Sequence, residues 1–167
     1  MAKLPILLYP DPRLHTVAIK VSRVDDKIRQ LIKDMSETMY AAPGVGLAAT
    51  QVDVHLRIIV IDNSDTRDRL HTFINPELLE SSGEADCEEG CLSVPGVYEK
   101  VTRAQNIRVR ALDAKGDLFD MSAEGLFAVC IQHEMDHLEG KVFVEKLSRM
   151  KRQRILGKIR KRQRDRR

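Results

Sequence analysis

Residues 123–140 read AEGLFAVCIQHEMDHLEG, and this stretch decides the fold. Its first half holds Leu126, Phe127, Val129, Cys130 and Ile131, too apolar for a solvated surface and consistent with a helix buried against a core. Gly140 stops it. Its second half sets His133 and His137 four residues apart, one turn apart on one helix face, so both imidazoles can point at a single ion with Glu134 beside it. A buried helix carrying His, Glu, Asp and His must satisfy those polar groups, and a shared metal does so more economically than separate hydrogen-bond partners. The competing reading, a chance match on an ordinary helix, is weakened by that apolar neighbourhood. The pattern is the geometry of metal-assisted hydrolysis.

Two histidines leave a catalytic metal short of the usual three protein ligands. One extension of the motif places a third histidine three residues after a glycine; here Gly140 fits, but the position is Phe143, which cannot bind metal. Cys130 shares nearly the same helix face, yet at about 1.5 Å rise per residue it is about 10 Å along the axis from His137, too far to share one ion. Cys87, Cys91 or an acid from another segment remain. Cys91 lies in EEGCLSVPG, residues 88–96, where a glycine permits close backbone approach and the flanking turn residues bend the end of an extended segment. A small buried apolar cysteine is the alternative. A third segment, PGVGLAATQ at residues 43–51, lacks the lysine and the helix start of a phosphate loop. It holds two glycines, small or apolar residues and one amide, Gln51, and by itself reads as a plain loop between helix and strand.

Taken together and in order, residues 44–51, 89–93 and 132–137 resemble the peptide deformylase family, whose motifs are Gly-x-Gly-x-Ala-Ala-x-Gln, Glu-Gly-Cys-Leu-Ser and Gln-His-Glu-x-Asp-His. The likeness extends to YPDPRL at residues 9–14 and covers the chain to about residue 147. It implies a metal-dependent hydrolase that removes the N-formyl group from the initiator methionine of nascent polypeptides and releases formate. Carried over residue by residue, it makes Cys91, His133 and His137 the metal ligands and Glu134 the general acid/base. It sets the Gln51 side-chain amide and the Leu92 backbone N–H around the formyl oxygen. Cys91 is then a ligand and not a nucleophile. By softness the set accepts zinc, which outcompetes ferrous iron on affinity; the resemblance implies Fe2+ as the native ion, with Zn2+, Ni2+ or Co2+ as substitutes.

An apolar slot for the methionine side chain is expected from Val45, with Leu126, Val129 and Cys130 on the metal helix, although such residues are as often simple core. Gly46 and Gly90 would let the substrate backbone pair as an added strand. Cys87 stands near the presumed rim, where many deformylases carry an aliphatic residue, and Tyr98 stands near the place where some carry an arginine. Asp136 points away from the metal and suits an ion pair, with Arg103 as partner, or a solvated position.

At 167 residues and 43% hydrophobic, the chain can bury one core, and no linker divides it. Three cysteines are an odd number, which speaks against a disulfide framework and for a reducing cytoplasm. No signal peptide or membrane span is legible, and a monomer is expected. The overall charge of +3 hides a split: residues 149–167 hold eleven Lys or Arg and one acid, net +10, against −7 for residues 1–148. We therefore divide the chain into a catalytic part, 1–148, and a basic helix or tail, 149–167, that frays into solvent or binds RNA phosphates, which the resemblance implies are those of the ribosome. Helical spacing predicts a helix over residues 25–40; strands are expected at 56–61 and 72–75, and a hairpin at 107–121 about the turn 113–116. Helices flanking antiparallel strands predict an α+β fold, antiparallel sheets around a central metal-binding helix. Two other readings stay open: a metallopeptidase that cuts internal peptide bonds, and an RNA-binding protein with a degenerate metal site.

Overall fold

The computed structural model describes residues 3–165. Helix α1, Asp26–Ala41, starts where Asp25 accepts the Ile28 N–H at 3.0 Å, satisfying one of the free amides of the first turn. Strands β1 (Gly46–Ala48), β2 (Ile58–Ile61) and β3 (His71–Ser82) follow, then the pair β4 (Ala85–Cys91) and β5 (Val94–Arg103), and then β6 (Asn106–Leu112) and β7 (Leu118–Glu124). Helix α2, Gly125–Leu138, carries the histidines, and α3, Arg149–Asp165, closes the described chain. The main sheet is antiparallel in the order β1-β2-β3-β6-β7, and β4 and β5 form a separate hairpin.

Strand β2 reads Ile-Ile-Val-Ile with every side chain buried, because the sheet is covered on both faces. Ile58 and Val60 join Ile32, Met35 and Met39 of α1 and Leu47 of β1 in one core. Ile59 and Ile61 join Phe73, Val109, Ala128, Ile131 and Leu138 in the other, which fixes α2 against the opposite face. Antiparallel sheets around a central metal-binding helix are thus the architecture expected from the sequence. The turn between β6 and β7 also stands where the sequence puts it: Asp113 accepts the Lys115 and Asp117 N–H groups, and Gly116 adopts φ +86°.

Three features extend beyond what the pattern predicts. Strand β3 runs on past Asn75 to Ser82, its register shifting between Ile74 and Glu77 where Pro76 removes a ladder donor. Strand β1 forms from the glycine segment because Gly46 pairs with Ile61 and Ala48 with Ile59. The basic C-terminal segment, expected as a helix or a tail, is a seventeen-residue helix. Ile155 is buried at 3% exposure, and with Leu156 and Ile159 it packs beside Val94, Val97 and Phe143; tertiary burial of this seam supports a helix whose charge density disfavours it. Arg162 adds a bond to the Pro95 carbonyl at 2.6 Å. Among the described residues no helix is long and apolar enough to cross a membrane.

Candidate metal centre and active site

Cys91 ends β4 at the tip of the hairpin, pairing with Val94 across the Leu92-Ser93 turn. Helix α2 runs past this tip. The two rings of His133 and His137 lie 5.0 Å apart, edge to face, and the ligand atoms of Cys91, His133 and His137 all fall within 4.8 Å of one another. His137 Nε2 approaches Cys91 Sγ to 3.3 Å. The 3.3 Å separation is that of two ligands about 2.0–2.3 Å from a common centre in tetrahedral geometry. Among the described residues this is the one group of three such side chains able to hold an ion. Of the two cysteines left open by the residues alone, Cys91 is therefore the one brought to the histidines and Cys87 is not; Cys130, excluded by helix geometry, also stays outside the group. Phe143, at the place of a third histidine in the extended motif, packs its ring 5.8 Å from that of His133.

The two histidines of this group are held from behind. His133 Nδ1 donates to Glu89 Oε1 at 2.7 Å, and since a carboxylate can only accept, the proton sits on Nδ1 and leaves Nε2 free to bind metal. Arg103, itself buried, holds Glu89 at 2.5 and 3.0 Å and reaches Asp136 at 2.8 Å. The ion pair expected for Asp136 is present, and Lys146 adds a longer contact at 3.5 Å. Burial pushes the Glu89 carboxyl up, but the bonds from His133 and Arg103 outweigh it and keep the group ionised. Thr50 Oγ1 donates to the His137 carbonyl at 3.2 Å, tying the helix to the turn that carries Gln51.

Two imidazole nitrogens and a thiol sulfur are a donor set that a divalent cation takes. Burial, reinforced by the charge of His133, pushes His137 well below its ordinary pKa, so the ring is neutral as a metal ligand must be. Burial also opposes charge on His133, yet Glu134, Cys91 and Glu89 around it outweigh that and favour positive charge at this spot. Glu134 Oε1 and His137 Nδ1 are buried without a hydrogen-bond partner among the described residues. Burial, with Glu89 adding to it, pushes the Glu134 carboxyl up to about 7, near the value suited to taking and returning a proton at neutral pH.

Gln51 is locked by its own turn. Its Oε1 accepts the Ala48 N–H at 2.9 Å, so the opposite end must be the amide NH2, which donates to Ser93 Oγ at 3.0 Å and faces Cys91 Sγ at 3.5 Å. A donor is thereby held, nine-tenths and more buried, beside Cys91.

A cleft of about 540 Å3 opens above this centre. Its lining includes Val45, Gly46, Gln51, Gly90, Leu92 and Glu134, together with Cys91 and His133. Leu126, Val129 and Cys130 do not line it. Leu126 turns to solvent at 58% exposure, Val129 is buried at 2%, and Cys130 packs against the core on the sheet side of α2, where burial raises its thiol to about 12. Tyr98 lines the cleft with its ring against Gly90, where a Cβ would come within 2.6 Å of a ring carbon. A hollow of about 670 Å3 between β3, β6 and β7 contains no histidine or cysteine.

Sequence reasoning gave no role to Glu89 or Ser93. For Glu89 a signal existed: along β4 positions 87, 89 and 91 point inward while 86, 88 and 90 are exposed, so the period of a strand places Glu89 with Cys91. For Ser93 no local signal exists, because its bond to Gln51 spans 42 residues.

A family model described as polypeptide deformylase matches residues 3–153. The chain is 63% identical over 161 residues to peptide deformylase 2 of Nitrosomonas europaea, covering 96% of this chain and 87% of that one. It is 60% identical to peptide deformylase 1 of Ralstonia nicotianae over 99% of both. Among solved structures, a peptide deformylase from Legionella pneumophila superposes with a TM-score of 0.93 at 47% identity, covering 98% and 96% of the two chains. One from Ehrlichia chaffeensis in complex with actinonin gives 0.93 at 41%, covering 97% and 98%.

Proposed function

From the premise that this chain belongs to the peptide deformylase family, we propose how its own residues remove a formyl group. The enzyme is a metal-dependent hydrolase acting on N-formylated nascent polypeptides. Cys91, His133 and His137 hold one divalent ion, ferrous iron in the cell, with zinc, nickel or cobalt as substitutes. When bound, that ion polarises water and the formyl oxygen as a Lewis acid.

Glu134 takes the proton of the attacking water and returns it to the leaving amine, a use that fits its raised carboxyl beside the cleft. The Gln51 amide and the Leu92 N–H donate to the formyl oxygen as negative charge develops there, each such donor being worth roughly 3–4 kcal/mol in related acyl chemistry. No covalent acyl-enzyme forms. The methionine side chain enters beside Val45, and Gly46 and Gly90 let the substrate backbone approach as an added strand. The enzyme works as a monomer in the cytoplasm, and the basic face of α3 meets ribosomal RNA.

The convergence of the Cys91, His133 and His137 ligand atoms beside the buried Glu134 carries the reading. It is tested with iron-loaded enzyme on formyl-Met-Ala, acetyl-Met-Ala and an unblocked longer peptide. Formate from the first substrate alone is expected; internal cleavage of the third would make the chain a peptidase. Aeration or peroxide should inactivate the iron form, and a fully active iron preparation after prolonged aeration would overturn the choice of ion.

A further inference from the structure

One polar cluster lies outside the catalytic apparatus yet ends on the cleft wall. Asp62 follows β2 and is fully buried. Its carboxylate accepts the Tyr40 hydroxyl at 2.6 Å, the Ser64 hydroxyl and N–H at 2.5 and 3.0 Å, and the Arg69 N–H at 3.1 Å. Its own N–H donates to the Val45 carbonyl at 2.8 Å. Arg67 sits over the Tyr40 ring, its guanidinium carbon 5.1 Å from the centroid. One arm donates to the Asp62 carbonyl at 2.8 Å and the other to the Gly44 carbonyl. Helix α1, the end of β2 and the 63–69 loop are thereby fastened together onto residues 44–46.

Those three residues are also the cleft wall that faces the chemistry. A Cβ on Gly44 would lie 2.6 Å from Leu92 Cδ1, and one on Gly46 would collide with the Glu134 carboxylate. The wall is thus pressed against Leu92 and Glu134 on its inner side and tied at two consecutive carbonyls on its outer side. Arg67 adopts φ +57°, a conformation that side-chain-bearing residues avoid and glycine accepts. What arginine adds there is a planar fork that can serve two carbonyls and lie on a ring at once.

We propose that Arg67 is a positioning residue for substrate binding, holding the Gly44–Gly46 wall in the register that the peptide backbone of the substrate must meet. This rests on the reading of the cleft as the formyl-peptide site. Arg67 bonds to the Asp62 and Gly44 carbonyls and lies on the Tyr40 ring, touching neither Glu134 nor the Cys91, His133 and His137 group itself, so its loss acts first on how the peptide is held.

The test compares formyl-Met-Ala-Ser, which has backbone to lay along the wall, with formyl-Met amide, which has little. In Arg67→Ala, KM for the tripeptide should rise about tenfold with kcat within about twofold, while the amide changes less than about threefold. Arg67→Lys should recover little of this, because one ammonium cannot serve both carbonyls in the guanidinium geometry. Arg67→Gly relieves the backbone strain, so it reports on the missing guanidinium even where the alanine variant folds poorly, and it should show the same KM rise with bound metal unchanged. An unaltered tripeptide KM in Arg67→Gly, or equal losses of kcat on both substrates, overturns the assignment. Failure of the wild-type enzyme to release formate would instead overturn the deformylase reading itself.

Discussion

Adding one methyl group at Gly46 should disable Glu134 without touching it chemically. Gly46 is absent from the positive-φ residues, so its backbone accepts alanine and the effect is steric. The new Cβ would come within 3.0 and 3.1 Å of the Glu134 Cδ and Cγ atoms and would collide with the carboxylate oxygen. Carbon atoms pack at about 3.5–4.0 Å, so the carboxylate must withdraw by roughly 0.5–1 Å. A misplacement of that order costs about 100-fold in kcat, or about 2.7 kcal/mol of transition-state stabilisation. Stability moves less. Overpacking costs about 1–3 kcal/mol, offset by about 0.4–1 kcal/mol from the stiffer unfolded chain. The melting temperature should fall by no more than about 10 °C. Gly44→Ala is the control: it presses on the flexible end of Leu92, so we expect KM to rise and kcat to fall less than about tenfold. The assay is formate release from formyl-Met-Ala with metal content and melting measured on the same samples. A Gly46→Ala enzyme with its metal in place and kcat within threefold of wild type would refute the assignment of Glu134 as the proton carrier. Equal losses at both glycines would instead indicate general damage to the loop.

Glu89→Gln should weaken metal retention about 10- to 100-fold in chelator competition, since His133 loses its carboxylate. It should also cost about 3 kcal/mol or more in denaturant unfolding, because Arg103 is left buried with only Asp136 as partner. Removal of Arg149–Arg167 should abolish salt-sensitive co-sedimentation with ribosomes, and it should lower stability by about 1.5–3 kcal/mol through exposure of the Ile155 seam. Undiminished co-sedimentation of the shortened chain would exclude an RNA role for α3. Asp62 gives a pH signature. Burial pushes its carboxyl up, but hydrogen bonds from Ser64, Tyr40 and the Ser64 and Arg69 N–H groups outweigh this and hold it well below the usual carboxylate range. The folded value lies under the unfolded one near 3.9, so its contribution is present above about pH 5 and is lost as the pH falls. The stability gap between wild type and Asp62→Asn should therefore be level from pH 5 to 8 and narrow below about pH 4; a gap that widens in acid would contradict this.

Residues whose roles follow from neighbours within a few positions were legible without the structure. The spacing of His133, Glu134 and His137 follows from the pitch of one helix, the span of α1 from its helical periodicity, and the β6–β7 turn from residues 113–116. Composition likewise announced that α2 is buried and that the last segment is basic. The slot residues fared differently. Helical periodicity groups Leu126, Val129 and Cys130 near the face of His133, but only Val45, Gly46 and Gly90 from that expectation line the cleft.

By itself, then, the sequence determined a metal-binding helix, its two histidines and its acid, because helix geometry is set by bonds four residues long. The residues taken by themselves left Cys87, Cys91 or an acid open and only the resemblance named Cys91; it is the tertiary structure that brings Cys91 to His137 across 46 residues, through the register of a hairpin. It decided that Glu89 orients His133, across 44 residues, and that Gln51 turns its NH2 toward Cys91, across 40. It also decided that the basic helix docks on the catalytic core through Ile155. These outcomes depend on how separately formed elements pack, and packing is decided by burial over the whole chain, which local periodicity does not encode.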